Sequence, residues 1–223
     1  ELYLGGGTRV QKALGIEDSA EAMEAYLVAA LGPHADEEKI RLYCQGSVEH
    51  FDWFDAMGVG FQETLWNSTG WMPFTNDGLM WLGENAWPYT EIATPAPRGH
   101  RPPAPGFAGG ALMEKVSAAV EAEGVDVRLD TRALALVVDE AGAVVGLRAK
   151  GFDGETTFRA TRGVVLTTGG FVDNERMLAD HAPDLVGHGK VSDGGDDGSG
   201  IEMGIAAGAA TRRMSAIEVS LTF

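Results

Sequence analysis

The fold class of this chain follows from one stretch, Gly163-Val164-Val165-Leu166-Thr167-Thr168-Gly169-Gly170-Phe171. Its three consecutive aliphatic residues predict a strand of a buried parallel sheet, in which both faces are covered. The strand runs directly into paired glycines, which lack a Cβ and therefore let the backbone come close to a bound ligand. The stretch predicts an α/β domain that binds its ligand at the end of a parallel strand.

Upstream patterns predict the other elements of this domain. The expected strands are residues 125–129, 134–138, 143–150 and 156–160. Asp153-Gly154 is typical of a tight hairpin turn, and Glu140-Ala141-Gly142 of a looser one. A helix, a strand, a small meander and an apolar strand ending in glycines is the order found late in a two-part FAD-binding domain. We therefore predict an α/β fold, an incomplete Rossmann-like FAD-binding domain with a small antiparallel β-meander and flanking helices.

The opening unit of such a domain is not found in the sequence. Rossmann-type FAD sites begin with a strand, a Gly-x-Gly-x-x-Gly turn and a helix whose N-terminus receives the pyrophosphate. That glycine spacing occurs nowhere in this chain, and residues 219–223 have the pattern of a strand that is just beginning. We expect the chain to be an internal piece of a longer protein, and we expect this piece alone to bind FAD weakly or not at all.

Composition excludes several classes of function. The chain has 44% hydrophobic and 22% charged residues, an ordinary composition for a globular protein. None of its apolar runs approaches the length of roughly 20 residues that spans a bilayer, so membrane insertion is not expected. A net charge of −16 would repel the phosphates of a nucleic acid.

The single cysteine, Cys44, has helical spacing with Ile40 and Phe51, which predicts a core position in a cytoplasmic protein. Cys and His have no metal-binding spacing, so we predict no metal.

A second glycine cluster, Gly5-Gly6-Gly7-Thr8, lies near the start of the chain. Glycines at three successive positions allow backbone N–H groups to approach an anion or an aromatic ring. The alternative is a flexible linker.

Two scaffold helices are expected after this cluster. The first is capped by Asp18 and ended by Gly32-Pro33, and the second begins at Asp36 and continues to Gly58. His50 lies near the apolar face of the second helix, where a packing role is favoured over a catalytic one.

Residues 67–110 have no periodicity but are rich in proline, glycine and aromatic residues. The aromatic residues include Trp71, Phe74, Trp81, Trp87 and Tyr89. Such a long loop either lines a flat, apolar ligand or follows the surface, anchored by its rings. Within it, Arg98-Gly99-His100-Arg101-Pro102 brings several cationic side chains close together. We favour the interpretation that they face the flavin or a ligand oxygen. The alternative is that they pair with protein carboxylates.

Three elements are expected in the second half of the chain. Gly109-Gly110 leads into a helix over residues 111–123, and Asp173-Asn174 caps a short one. Asp197-Gly198 precedes a helix of small residues over 201–210, which suits close packing. The Asp197 carboxylate cannot pair with a phosphate, so its expected role is to accept hydrogen bonds from ribose hydroxyls or to organise the loop.

These motifs together resemble the fumarate reductase and succinate dehydrogenase flavoprotein superfamily, and within it most closely the 3-ketosteroid dehydrogenases that act at the 4,5 bond of 5α-steroids. The residues that carry the resemblance are Tyr3-Leu4-Gly5-Gly6-Gly7-Thr8, Gln11-Lys12-Ala13-Leu14-Gly15, Asp18-Ser19, His50-Phe51-Asp52-Trp53, Pro97-Arg98-Gly99-His100, the strand and Thr-Gly-Gly-Phe of 164–174, and Asp197-Gly198-Ser199-Gly200-Ile201.

The resemblance implies an FAD-dependent oxidoreductase that acts on a small, apolar, steroid-like ketone. It implies that Gly5, Gly6, Gly7 and Thr8 approach the flavin, that Ala133 lies at the adenine side, and that Thr168, Gly169 and Gly170 pass the pyrophosphate or ribose with Asp197 nearby. The catalytic residues are expected beyond Phe223, and none is assigned in this chain. The alternatives are a flavin-dependent reductase of fumarate-like unsaturated acids and a non-catalytic interaction module.

The expected organisation is one internal part of an FAD-binding domain. Residues 1–66 are its helical part, 67–110 its aromatic loop region, 111–210 its helix, β-meander and glycine-rich strand end, and 211–223 the start of a substrate domain. Exposed sheet edges predict self-association.

Overall fold

The computed structural model describes residues 1–68 and 73–217, in two compact units, Glu1–Asp126 (unit 1) and Val127–Phe223 (unit 2). Trp71 and the strand predicted at 219–223 lie outside the described residues. No helix in the described ranges is long and apolar enough to cross a membrane.

The described part of unit 1 contains five α-helices and two short 3-10 helices. They are α1 (Arg9–Ala13), α2 (Ala20–Leu31), α3 (Glu37–Gln45), α4 (Ser47–Ala56), α5 (Gly109–Ala122) and the 3-10 turns Gly32–His34 and Tyr89–Glu91. Asp36 caps α3 as predicted, but Ser19 and not Asp18 caps α2. The single helix expected up to Gly58 is instead two, α3 and α4, which meet at Gly46.

Four two-residue strands form a sheet in unit 1. They are β1 (Leu2–Tyr3), β2 (Leu65–Trp66), β3 (Leu79–Met80) and β4 (Gly99–His100), in the order β1-β4-β3-β2. Only β2 and β3 are parallel. The loop region predicted at 67–110 therefore contains regular secondary structure, because β3 and β4 both come from this range. Strands of two residues are too short to produce a periodic sequence pattern.

The core of unit 1 joins α1, α4 and this sheet. Its buried residues are Leu4, Val10, Phe51, Phe54, Val59, Phe61 and Leu79, and Leu112 and Val116 of α5 pack against it. Cys44 is buried in a second cluster, as predicted, and burial raises the pKa of its thiol to about 11. His50 is not a core residue, since it lies exposed on α4 and stacks on Phe54 at 4.9 Å.

Unit 2 is built on the predicted β-meander. Strands β5 (Arg132–Val138), β6 (Val144–Gly151) and β7 (Gly154–Arg159) pair antiparallel in chain order, with a register shift in β5 between Ala133 and Ala135. Two helices follow, α6 (Glu175–His181) and α7 (Ser199–Ala206), with a 3-10 turn at Pro183–Leu185 between them. Asn174 caps α6 as predicted.

Two strands predicted in the second half of the chain are not formed. Residues 125–129 and 163–168 have no strand pairing, and Val165 is 85% exposed where the sequence predicts a buried strand. A strand needs hydrogen bonds from a neighbour, and no strand in the described part of unit 2 lies beside either segment. The helix expected over 201–210 begins and ends earlier, as α7.

Candidate cofactor-binding site

The glycine cluster at residues 5–8 is a tight turn that leads from β1 into α1. Gly6 and Gly7 have φ values of 84° and 96°, in the left-handed region that favours glycine. The Thr8 hydroxyl accepts the Gln11 N–H, and the Gln11 side-chain oxygen accepts the Thr8 N–H, which is the reciprocal arrangement of a capping box. The spacing of Thr8 and Gln11 is the sequence signal for α1, a helix that is not among the predicted ones.

All four backbone N–H groups of this turn donate to protein side chains. The acceptors are Ser47 Oγ for Gly5 and Asp18 Oδ2 for Gly6, each at 2.8 Å, and Gln11 Oε1 for Gly7 and Thr8, each at 3.0 Å. These groups are therefore not available to hold an anion. The turn instead offers backbone without Cβ atoms, which suits an aromatic ring. It is not a flexible linker, because its hydrogen bonds and the capping box define its shape.

Asp18 is at the centre of the contacts that hold the turn. Its carboxylate accepts two hydrogen bonds from Arg98, at 2.7 and 3.1 Å, and neither side chain is exposed. It also accepts the Gly6 N–H and, at 2.9 Å, the side-chain amide of Gln11. A Cβ on Gly5 would lie 2.6 Å from Asp18 Oδ2, so the carboxylate reaches the turn only because residue 5 is glycine.

His100 and Arg101 are also buried within unit 1. The Nε2 atom of His100 lies 2.9 Å from the Thr8 hydroxyl, and desolvation lowers the pKa of the imidazole to about 4. The Arg101 guanidinium donates to five backbone carbonyls, those of Pro73, Thr75, Asp77, Ala104 and Gly106. The prediction that the 98–102 cations face the flavin or a ligand oxygen is therefore wrong. They bind protein groups, and most of these are carbonyls, which the sequence does not reveal as partners.

Unit 2 has an open cleft of about 730 Å³ beside the glycine-rich stretch. It is lined by Thr167, Thr168, Gly169, Val191, Ser192, Asp193, Gly195 and Asp196. Gly169 has a φ of 71°, and a Cβ there would collide with the Asp196 carboxylate. That carboxylate accepts the Gly170 N–H at 2.8 Å. The two lining carboxylates repel phosphate but accept hydrogen bonds from hydroxyl groups, so this cleft suits a ribose better than a pyrophosphate.

Asp197 organises the segment that leads into α7. Its carboxylate accepts the Ser199 N–H at 2.9 Å and pairs with Arg132 at 2.7 Å. Hydrogen bonding to Ser199 and the neighbouring Arg132 lower the pKa of Asp197 to about 2. Because Ala133 follows Arg132 in β5, this pair links the strand that carries Ala133 to the segment before α7. These contacts match the second of the two roles expected for Asp197, that of a loop organiser.

Thr168 packs against the start of α7. A Cβ on Gly200 would collide with the Thr168 hydroxyl, and a Cβ on Gly198 would collide with Met177. The close packing expected of the small residues in this helix is therefore observed.

The expected cofactor-binding residues fall into the two units. Gly5, Gly6, Gly7 and Thr8 belong to unit 1, and Ala133, Thr168, Gly169, Gly170 and Asp197 belong to unit 2. Within the described residues no group of three His, Cys, Asp or Glu side chains is arranged to hold a metal ion.

Gly169→Ala is expected to lower the free energy of unfolding by about 1–2 kcal/mol, because the new residue must adopt a left-handed backbone and displace Asp196. Gly170→Ala is the matched control, since no atom outside its chain neighbours lies within 4 Å of a Cβ at that position. Urea unfolding of the complete protein measures both. Equal stability of the two variants would contradict the steric requirement at residue 169.

Comparisons with known proteins agree on one family. Residues 5–222 match the family described as FAD binding domain. The structure aligns over 96% of this chain, with a TM-score of 0.92 and 47% identity, with a 3-ketosteroid-delta4-(5alpha)-dehydrogenase from Rhodococcus jostii RHA1 solved with 4-androstene-3,17-dione. Curated relatives include an NADH:fumarate oxidoreductase from Klebsiella pneumoniae (strain 342), 26% identical, and a cytochrome-type fumarate reductase from Shewanella frigidimarina, 25% identical, each matching 96% of this chain.

The chain spans only part of each of these proteins. It covers 46% of the steroid dehydrogenase chain, and 20% and 34% of the lengths of the Klebsiella and Shewanella relatives. The family itself is shown, because the match extends over nearly all of the 223 residues. The chain belongs to the FAD binding domain family.

Proposed function

We propose that this chain is part of an FAD-dependent oxidoreductase that dehydrogenates adjacent ring carbons of a 3-ketosteroid-like substrate. In this reaction a base removes the proton next to the carbonyl, a hydride leaves the neighbouring carbon, and a carbon–carbon double bond forms. FAD, when bound, accepts the hydride. The observation that carries the proposal is the 47% identity to the Rhodococcus steroid dehydrogenase over 96% of this chain.

The second candidate is a reductase of fumarate-like acids, favoured by the curated relatives at 26% and 25% identity. A dicarboxylate is best held by arginines that converge on it. Arg98 and Arg101 are fully buried and bound to protein groups, so neither supports this alternative. Phe74 and Trp87 are 76% and 77% exposed, and such aromatic surface supports an apolar ligand.

We further propose separate roles for the two units. The turn at Gly5–Thr8 supports a position against the flavin ring, because its N–H groups are bound and its backbone lacks Cβ atoms. Thr168, Gly169 and Gly170 border a cleft whose carboxylates suit ribose hydroxyls. Asp197 would act through Arg132 by keeping Ala133 in place at the adenine side.

We assign no catalytic residue within this chain. Tyr3 lies in β1, shortly before the glycine turn, and the Tyr26 ring packs near it; burial raises the pKa of both phenols. A buried phenol with a raised pKa is a poor acceptor for the substrate proton. The base is therefore expected in a part of the protein outside these 223 residues.

The complete protein tests this proposal directly. We expect it to carry bound flavin and to oxidise a 5α-3-ketosteroid with an artificial electron acceptor, without reducing fumarate when supplied with a reduced dye. Fumarate reduction without steroid oxidation would establish the second candidate. Purified protein that neither contains nor binds flavin would indicate a non-catalytic module.

A pair of glycine variants tests the proposed flavin contact. Gly6→Ala and Gly15→Ala both place a Cβ on a left-handed glycine, with φ values of 84° and 69°. Only Gly6 lies in the turn, so only Gly6→Ala is expected to weaken FAD binding, by roughly tenfold or more. Equal FAD affinities of the two variants, measured by flavin titration of the stripped protein, would place the flavin elsewhere.

A further inference from the structure

The side-chain amide of Gln11, in α1, uses its whole hydrogen-bonding capacity inside unit 1. Gln11 is 0% exposed. Its Oε1 atom accepts the N–H groups of Gly7 and Thr8, each at 3.0 Å. Its Nε2 atom donates to Asp18 Oδ2 at 2.9 Å and to the Pro97 carbonyl at 3.0 Å. An amide side chain has two acceptor and two donor positions, so both ends are satisfied.

These partners also fix which way round the amide lies. Backbone N–H groups only donate, so the amide oxygen must face the glycine turn. The Asp18 carboxylate, which is paired with Arg98, and the Pro97 carbonyl only accept, so the amide nitrogen must face them. Pro97 is buried and is 86 positions from Gln11 in the chain. Gln11 therefore ties the glycine turn to the segment that leads into β4.

The capping box alone does not explain why residue 11 is a glutamine. A capping box accepts glutamate as well as glutamine, because only the side-chain oxygen reaches back to the N-cap residue. At this position an ionised carboxylate would set an acceptor against two other acceptors, Asp18 Oδ2 and the Pro97 carbonyl. It would also leave two buried carboxylates beside the single guanidinium of Arg98. The contacts on the nitrogen side therefore select a neutral side chain that both accepts and donates.

We propose that Gln11 is a positioning residue for the cofactor, which holds the glycine turn in the shape that meets the flavin ring. This inference rests on the flavin contact proposed above for Gly5–Thr8. Gln11 acts through the backbone of Gly7 and Thr8, because its own polar atoms are bound to protein groups. A change at Gln11 lowers the fraction of molecules with a competent turn, and the apparent affinity for FAD falls by that fraction.

Gln11→Glu in the complete protein tests this role, by flavin titration of the stripped protein at pH 8 and at pH 6. At pH 8 the introduced carboxylate repels Asp18, and FAD affinity should fall by roughly tenfold or more. Burial and the Asp18 charge raise the pKa of the introduced carboxyl group, so at pH 6 part of it is protonated and donates again. The affinity should then recover severalfold relative to the wild type. His100 stays neutral throughout, because its pKa is about 4.

Two further variants separate the charge from the loss of hydrogen bonds. Gln11→Met keeps the length of the side chain but has neither the amide nor a charge, so it should weaken FAD binding equally at both pH values. Gln45→Glu makes the same chemical change at an exposed position, the last residue of α3, and should bind FAD as the wild type does.

The visible circular dichroism of the bound flavin is a readout that a loss of overall stability would not move. At saturating FAD, the spectrum of Gln11→Glu should differ from that of the wild type at pH 8 and return toward it at pH 6. Gln45→Glu should give the wild-type spectrum at both pH values.

Wild-type FAD affinity of Gln11→Glu at pH 8 would overturn the positioning role, and so would a loss that does not change with pH. If that variant does not fold, wild-type affinity of Gln11→Met overturns the role instead. In each case a wild-type protein that binds FAD and oxidises the steroid leaves the proposed function intact. A wild-type protein that binds no FAD overturns the proposed function, and this inference with it.

Discussion

Asp18→Ala should lower the free energy of unfolding by about 3–5 kcal/mol, the loss typical when one partner of a buried ion pair is removed. The variant leaves the Arg98 guanidinium charged, with no exposed surface and without its carboxylate. It also leaves the Gly6 N–H and the Gln11 amide without the acceptor that they share. Urea unfolding of the complete protein measures the loss, and flavin titration shows whether the affinity for FAD changes with it.

Two variants separate this burial effect from the loss of a charge alone. Asp55→Ala removes a carboxylate from a pair with Arg9 whose side chains are 26% and 42% exposed, and it should cost less than about 1 kcal/mol. Adding Arg98→Met to Asp18→Ala should restore part of the lost stability, because the uncompensated charge is then removed as well. A double variant that is less stable than Asp18→Ala would mean that Arg98 stabilises unit 1 without its partner.

Acid should destabilise this protein through His100. Burial lowers the pKa of the imidazole from 6.5 to about 4, so the folded state binds the proton more weakly than the unfolded state. The stability from neutral His100 is complete above pH 6.5 and is lost as the pH falls toward 4, up to roughly 3 kcal/mol in all. Nδ1 faces the Arg98 carbonyl, to which it donates, and in the neutral form that the lowered pKa favours Nε2 accepts from the Thr8 hydroxyl.

His100→Gln tests this expectation, because glutamine keeps a donor and an acceptor but does not titrate. The variant should be less stable than the wild type at pH 7, and the difference should shrink between pH 6.5 and 4. His50→Gln, at an exposed position on α4, serves as the control and should follow the wild type throughout. A stability difference that stays constant over this range would rule out a buried, neutral His100 as the cause.

Local patterns predicted the parts of the fold that local interactions determine. The three-stranded meander follows from alternating residues and turn residues, and the caps at Asp36 and Asn174 follow from their own side chains. The segment at 163–171 carries the composition of a buried strand, yet it remains unpaired, because pairing depends on neighbours and not on the segment itself.

The site shows the same division between local and long-range information. A glycine turn at residues 5–8 is visible in the sequence, and so is the capping signal of Thr8 and Gln11. The partners of Arg98 and Arg101 are not, since Asp18 is 80 positions from Arg98 and the Arg101 acceptors are backbone carbonyls. The sequence therefore revealed the cation cluster at residues 98–102, but it led us to favour a ligand as the partner of these side chains, whereas they bind protein groups.

The saturation of the four N–H groups in the glycine turn has an entropic consequence. A loop that already has its hydrogen bonds does not have to be ordered by a ligand, so under the proposed flavin contact little conformational entropy would be lost on binding. The strength of that contact would then depend on how well two rigid surfaces match in shape. Inorganic anions would not compete for it, because the four N–H groups already have acceptors.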